Sequence, residues 1–286
     1  MTEIHRVGVV GAGTMGSGIA HVAAQKGLDV VVVEQDEAQL ARAQDYIRAI
    51  DRRSVEKGRI DAAGAAATFA RLRFSRDLED LAGAELCVEA IYEDLEAKKD
   101  VFRRLDAILA PDVLLASNTS SMSITEIGRV TGRAARTCGL HFFNPAQVMQ
   151  LVEVVRGYDT SDETMADARA FAAQLGKTAI SVEKDRPGFV VNRVLMPFLA
   201  EACRVVEEGV ATPEDVDTAV RLGLNHPMGP FTLLDFTGVD ICYAVMDYFY
   251  REFGDPAYKP PLVLHQLVRA GRLGRKSGAG FFEYGR

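Results

Sequence analysis

Two polar strings in this chain of 286 residues hold side chains suited to moving a proton. Ser117-Asn-Thr-Ser-Ser121 follows the apolar run Val113–Ala116, and His141-Phe-Phe-Asn-Pro145 follows Thr137–Leu140. Histidine changes charge near neutral pH, so His141 is a candidate general base, ahead of two aromatics that would exclude water. Glu153 stands twelve residues further on, inside the strand-like Leu151–Val155. If the two runs form a hairpin about residue 147, Glu153 faces His141. A carboxylate so placed would fix the imidazole tautomer and stabilise the imidazolium.

A third string speaks of a different chemistry. Gly11-Ala12-Gly13-Thr14-Met15-Gly16 follows the strand-like Arg6–Val10 and opens a helix-like stretch. In a dinucleotide fingerprint the first glycine allows the turn and the second lets the backbone approach a pyrophosphate. The third lets the packing close. The free N–H groups of the helix start would face the phosphates. Glu34 ends the next valine-rich run, 23 residues after Gly11, where a carboxylate accepts from ribose hydroxyls. It would repel a 2′-phosphate, and no Arg follows directly in Glu34-Gln-Asp-Glu37. The expected cofactor is NAD rather than NADP.

Such groups need a scaffold that presents strand ends. Up to residue 185, short β-branched runs alternate with longer helical patterns: strands at Arg6–Val10, Asp29–Glu34, Leu72–Ser75, Leu86–Ala90, Val113–Ser117, Thr137–His141, Leu151–Val155 and Ala179–Val182. Helices are expected at Met15–Lys26, Glu37–Lys57, Glu96–Leu109 and Asp162–Leu175. This is the pattern of an α/β fold, a mostly parallel sheet wound on both faces, with ligands beyond the carboxyl ends of the strands. At Asp185-Arg-Pro-Gly188 the pattern changes to helices at Phe189–Gly209, Pro213–Leu222, Phe231–Phe253 and Pro261–Ala270, with one last strand at Gly280–Tyr284. Two domains follow, 1–185 and 186–286.

Composition narrows the partners. With 33 basic and 40 acidic residues the net charge is −7, which argues against nucleic acid or an anionic membrane surface. No apolar run reaches the roughly 18 residues that span a bilayer, and the N-terminus lacks the regions of a signal peptide. Cys87, Cys138, Cys203 and Cys242 share no metal-binding spacing and read as reduced core residues of a cytoplasmic protein. No metal is expected. His5 reads as a surface residue, His21 as packed or solvent-facing, His226 as part of a turn and His265 as one residue of an amphipathic helix. Arg52, Arg53, Lys57 and Arg59 form a local positive patch, for which a solvated helix face is the usual meaning.

The ordered set of strings resembles the (S)-3-hydroxyacyl-CoA dehydrogenases, in particular the short, stand-alone 3-hydroxybutyryl-CoA enzymes. It consists of Gly11–Gly16, Val88-Glu-Ala90, Ser117–Ser121, His141–Pro145, Leu151-Val-Glu-Val154, Pro187-Gly-Phe-Val-Val-Asn-Arg193 and Gly274-Arg-Lys-Ser-Gly-Ala-Gly280. The resemblance implies a Rossmann-like NAD domain followed by a helical substrate and dimerisation domain. It places the catalytic pair on His141 and Glu153, the substrate-positioning serine on Ser120 and the active-site asparagine on Asn192. Contacts to the nicotinamide half fall on Glu93, Lys98, Ser120 and Asn144, with Lys276 matching a C-terminal lysine. A CoA-contacting lysine falls on Lys57, while Ile50 stands where some members have an accompanying serine. An acyl-CoA substrate and a homodimer through the helical domain are likewise implied. The competing readings are a dehydrogenase of a non-CoA hydroxy acid such as L-gulonate, and an NAD-binding redox sensor without catalysis. A covalent role for Ser120 is set aside, because such hydrolysis would not require the dinucleotide fingerprint.

Overall fold

The buried valine runs become the middle of an eight-stranded sheet. The computed structural model describes residues 3–285. Met1 and Thr2, the start of the N-terminus read above as leaderless, and Arg286 lie outside them. In chain order the strands are β1 (Arg6–Val10), β2 (Asp29–Val33), β3 (Leu72–Ser75), β4 (Leu86–Glu89), β5 (Leu114–Ser117), β6 (Thr137–Phe142), β7 (Leu151–Val155) and β8 (Thr178–Val182). They lie in the order β3-β2-β1-β4-β5-β6-β7-β8. Every neighbouring pair is parallel except β6 and β7, which form the antiparallel hairpin expected about residue 147.

Period two decides what each face buries. Val7, Val9, Leu86, Val88, Leu114 and Ala116 enter one core layer, while Val10, Cys87 and Leu115 enter another. Helices α1 (Thr14–Gln25), α2 (Glu37–Glu56) and α6 (Asp162–Gln174) contribute Ile19, Leu40 and Phe171 to the first layer. Helix α4 (Leu95–Ile108) sends Phe102 and Leu105 into the second. Asp36, Asp94 and Ser161 cap α2, α4 and α6 by accepting from first-turn amides. Two short helices were not anticipated, α3 (Ala62–Ala70) and α5 (Ile124–Gly128). The first is a run of small residues with only Thr68 buried, and the second has five residues, so neither shows an apolar period.

The chain forms two compact units, Met1–Phe189 and Val190–Arg286. The Asp185 carboxylate accepts from the Ser123 hydroxyl at 2.8 Å and from the Thr125 amide at 2.7 Å. Phe189 is buried with Ile124, Val155 and Val182. The connector is thus tied to the first unit.

The second unit contains α7 (Val191–Glu207), α8 (Pro213–Gly223), α9 (Pro230–Thr237), α10 (Val239–Phe253) and α11 (Leu262–Arg269) around Leu199, Phe231, Leu234, Met246 and Phe249. The single helix expected over Phe231–Phe253 is broken at Gly238, whose φ of 110° is a conformation side chains rarely adopt. The last expected strand, Gly280–Tyr284, is instead a loop with an isolated bridge between Ala279 and Glu283. It wraps the buried Asp235 carboxylate, which accepts from the Phe281 and Phe282 amides at 2.9 Å. A side chain at Gly280 would collide with that carboxylate.

All four cysteines are free and buried. Burial pushes the Cys138 and Cys242 thiols up to about 12, and those of Cys87 and Cys203 well above the usual thiol range. Among the described residues no helix is long and apolar enough to cross a membrane, and no cluster of three or more His, Cys, Asp or Glu could hold a metal ion.

Candidate active site

The glycine string forms the turn between β1 and α1. Gly11 has φ 100°, and a Cβ there would lie 2.6 Å from the Ala90 carbonyl. Helix α1 opens on Gly13 without a side-chain cap, and a Cβ at Gly13 would meet nothing within 4 Å. The first-turn amides of α1 are left where an anion is favoured. Gly16 packs against the loop itself, since a Cβ there would collide with the Gly11 carbonyl. Glu34 is half-buried and accepts from the Ala12 and Asp36 amides, each at 3.2 Å. It therefore shapes the loop directly after β2. These residues fit a dinucleotide.

The His141–Glu153 pair assembles through the hairpin. His141 and Glu153 are direct cross-strand partners of β6 and β7. His141 Nδ1 and Glu153 Oε2 are 2.7 Å apart, with the carboxylate fully buried and the imidazole 8% exposed. Phe143 and Phe189 lie against the imidazole, with ring centroids at 4.5 and 5.7 Å.

Between fingerprint and pair, the strand ends carry a buried ionic cluster. Register sets Val10 beside Glu89 and Glu89 beside Ser117. Glu89 accepts from Lys98 Nζ at 2.7 Å, the Ser117 hydroxyl at 2.6 Å and the Ile91 amide at 2.7 Å. Lys98, 1% exposed, also pairs with Glu93 at 3.2 Å. Glu93 in turn accepts from the Thr119 hydroxyl at 2.5 Å and the Ser120 amide at 3.1 Å. Asn118 accepts from the Phe142 amide at 2.9 Å, joining the serine-rich loop to the histidine strand.

Comparison with known proteins decides the family. Residues 6–186 match the NAD binding domain of 3-hydroxyacyl-CoA dehydrogenase, and residues 188–284 match that enzyme's C-terminal domain. The chain belongs to the 3-hydroxyacyl-CoA dehydrogenase family. NAD is its cofactor. It is similar to a probable 3-hydroxybutyryl-CoA dehydrogenase of Deinococcus radiodurans, 49% identical over 98% of this chain and 100% of that one. The 3-hydroxybutyryl-CoA dehydrogenase of Mycobacterium tuberculosis is 45% identical over 98% of this chain and 99% of its own. The crystal structure of the (S)-3-hydroxybutyryl-CoA dehydrogenase from Ralstonia eutropha superposes with a TM-score of 0.96. It is 44% identical and covers 99% of this chain and 100% of its own.

Of the site residues expected from the family, the first unit brings Glu93, Lys98 and Ser120 into one cluster and sets His141 on Glu153. Asn144 is exposed and precedes Pro145 across a cis peptide. Lys57 is an exposed C-cap of α2. In the second unit, Asn192 lies in the first turn of α7, half-buried, and Lys276 pairs with Asp240 at 2.7 Å. His21 is not solvent-facing: it is buried and bonded to a buried Asp51 at 2.7 Å.

Sequence reasoning missed Glu89, Asn118 and Thr119 as the holders of the cluster, and Lys177 altogether. Glu89 and Asn118 stand in strings already singled out, so their polarity at strand ends was a usable signal. Lys177 gives none in sequence. Its Nζ donates to the Ala146 and Met149 carbonyls, both at 2.7 Å, and clamps the turn after Asn144. Burial, and then Lys26, hold its ammonium below the usual lysine range. Lys177→Met would leave two carbonyls without their donor, a loss of about 2–4 kcal/mol. Differential scanning calorimetry should record a Tm lower by ~5–15 °C, at roughly 2–4 °C per kcal/mol. An unchanged Tm would show that water replaces the clamp at no cost.

Proposed function

We propose that this family member interconverts (S)-3-hydroxyacyl-CoA and 3-oxoacyl-CoA, with 3-hydroxybutyryl-CoA and acetoacetyl-CoA as the preferred pair. The single observation that carries the reading is the 2.7 Å contact between His141 and a fully buried Glu153 at the carboxyl end of the sheet. Nδ1–H donates to the carboxylate, so Nε2 is the nitrogen left for a substrate proton. Glu153, with no exposure to solvent, favours the imidazolium that forms when the C3 hydroxyl gives up its proton. NAD, when bound, supplies the hydride acceptor. Ser120 and Asn192 are assigned hydrogen bonds to the C3 oxygen as it gains carbonyl or alkoxide character. Glu93 and Lys98, with Asn144 and Lys276, are assigned to the nicotinamide half, and Lys57 to the CoA phosphates. The names of the similar bacterial proteins support the four-carbon substrate.

A steady-state assay following NADH absorbance tests this. Acetoacetyl-CoA should be reduced with a kcat/KM at least 100-fold above that for any substrate lacking CoA, and a series from C4 to C10 should peak at C4. No turnover with acetoacetyl-CoA would leave the non-CoA dehydrogenase or the silent sensor in its place.

The second-unit residues Val194, Leu222, Ile241 and Leu262 are exposed, at 69, 77, 48 and 62%. Exposed apolar side chains of this size support assembly as a homodimer through the helical domain. Four buried, free thiols support work in a reducing cytoplasm. Light scattering at micromolar concentration should give about twice the 31.1 kDa of one chain. A mass of one chain would refute the dimer.

A further inference from the structure

We propose that Phe189 is a positioning residue for His141: a strained backbone turn holds its ring against the imidazole, fixing the tilt of the base and keeping water from it. The argument begins with an outlier. Phe189 has φ 50°, a left-handed conformation in a bulky, aromatic residue. That conformation costs about 1–2 kcal/mol and persists only where surrounding structure over-determines it.

The surroundings do so from several directions. Gly188, with φ 78°, sets up the turn, and the Phe189 amide donates to the Arg186 carbonyl at 3.0 Å. Asp185 is bonded to Ser123 and Thr125 at the start of α5. The ring is 4% exposed among Ile124, Val155 and Val182. Val155 follows Glu153 by two residues in β7 and so lies on the same face of the sheet. Its partner across the hairpin is Gly139, two residues before His141. A Cβ at Gly139 would stand 2.8 Å from Val155 and 3.0 Å from Ile124, so the missing side chain makes room on this face.

One hydrogen bond cannot orient an imidazole. The Glu153 contact holds Nδ1 but leaves the ring free to tilt about that anchor. Phe143 closes one approach at 4.5 Å and an interplanar angle of 49°; Phe189 closes another at 5.7 Å and 61°. Phe143 belongs to the histidine string itself, whereas Phe189 arrives from 48 residues along the chain. The ring is a reason for the connector to pay the strain at φ 50°.

The proposal rests on the function assigned to His141, and the test separates the two. Phe189→Leu keeps an apolar side chain, Phe189→Tyr keeps the ring, and Phe189→Gly relieves the backbone while removing the ring. Assays run at least 15 °C below each Tm. Phe189→Leu should lower kcat for acetoacetyl-CoA reduction by ~10–100-fold, the cost of a misplaced base, with KM and the Kd for NADH within about twofold. Phe189→Tyr should stay within about threefold of wild type. Phe189→Gly should be as slow as Phe189→Leu despite its relaxed backbone. Carbethoxylation of His141 by diethyl pyrocarbonate, followed by peptide mapping, should be about tenfold faster in Phe189→Leu and unchanged in Phe189→Tyr, if desolvation by the ring shields the base.

Wild-type kcat in Phe189→Leu, recovery in Phe189→Gly, or an unchanged carbethoxylation rate overturns the proposal. A wild type that cannot reduce acetoacetyl-CoA overturns the assigned function instead, and the carbethoxylation rates then decide the role of the ring alone.

Discussion

His141→Ala is expected to lower kcat for acetoacetyl-CoA reduction by ~10²–10⁴-fold while the Kd for NADH changes less than about threefold. The imidazole stands near the end of β6, and the dinucleotide loop is built from β1, α1 and β2, so the two losses are separable. Glu153→Gln keeps the shape of the side chain and removes its charge. It should cost less, ~10–100-fold, because the base remains but loses its orienting carboxylate. Because Glu153 is proposed to act through His141, the double variant should be no slower than His141→Ala by more than about threefold. Near-normal kcat in purified His141→Ala would remove the base from this histidine. Additive losses in the double variant would mean that Glu153 has a task of its own.

The second large effect is expected at Glu89, a residue that touches no solvent. Glu89→Leu leaves Lys98 buried with its 2.7 Å partner gone and takes the acceptor from Ser117 and Ile91. Breaking a buried ion pair by removing one partner costs about 3–5 kcal/mol. At roughly 2–4 °C per kcal/mol, Tm should fall by ~6–20 °C. The double variant Glu89→Leu with Lys98→Met should recover at least half of that loss, because it leaves no fully buried charge unpaired: Glu93, which loses Lys98, has its side chain 40% exposed. Its NADH affinity should fall below wild type, because Lys98, proposed to serve the nicotinamide half, and its contact to Glu93 are then missing. A double variant less stable than Glu89→Leu would show that Lys98 is satisfied without its partner. A double variant with wild-type NADH affinity would release the cluster from any cofactor role.

Much of the framework was legible because its signals are local. A valine run that ends in a carboxylate reads as a buried strand whatever lies next to it. The fingerprint was legible for the same reason: β1, its turn and α1 are consecutive, so spacing alone states the geometry. The His141–Glu153 register could be anticipated too, since a short hairpin ties it to a separation of twelve residues. Helix α3 escaped notice because an alanine run shows no face. The break at Gly238 escaped because composition on both sides is helical and a single φ decides it.

What the sequence by itself determined is the alternation of strands and helices, the dinucleotide turn and the residues able to move a proton. Only the tertiary structure decided how those residues are held. Lys98 is paired with Glu89, Asp185 with Ser123 and Thr125, Lys177 with two carbonyls of the turn at 146–149, and Phe189 with His141. Most of these contacts join segments roughly thirty to sixty residues apart, beyond any local period. A charge or an aromatic ring has no preference for such a partner until the sheet removes both from water. Once they are buried, an unpaired charge costs several kcal/mol, and that cost makes the pairing specific.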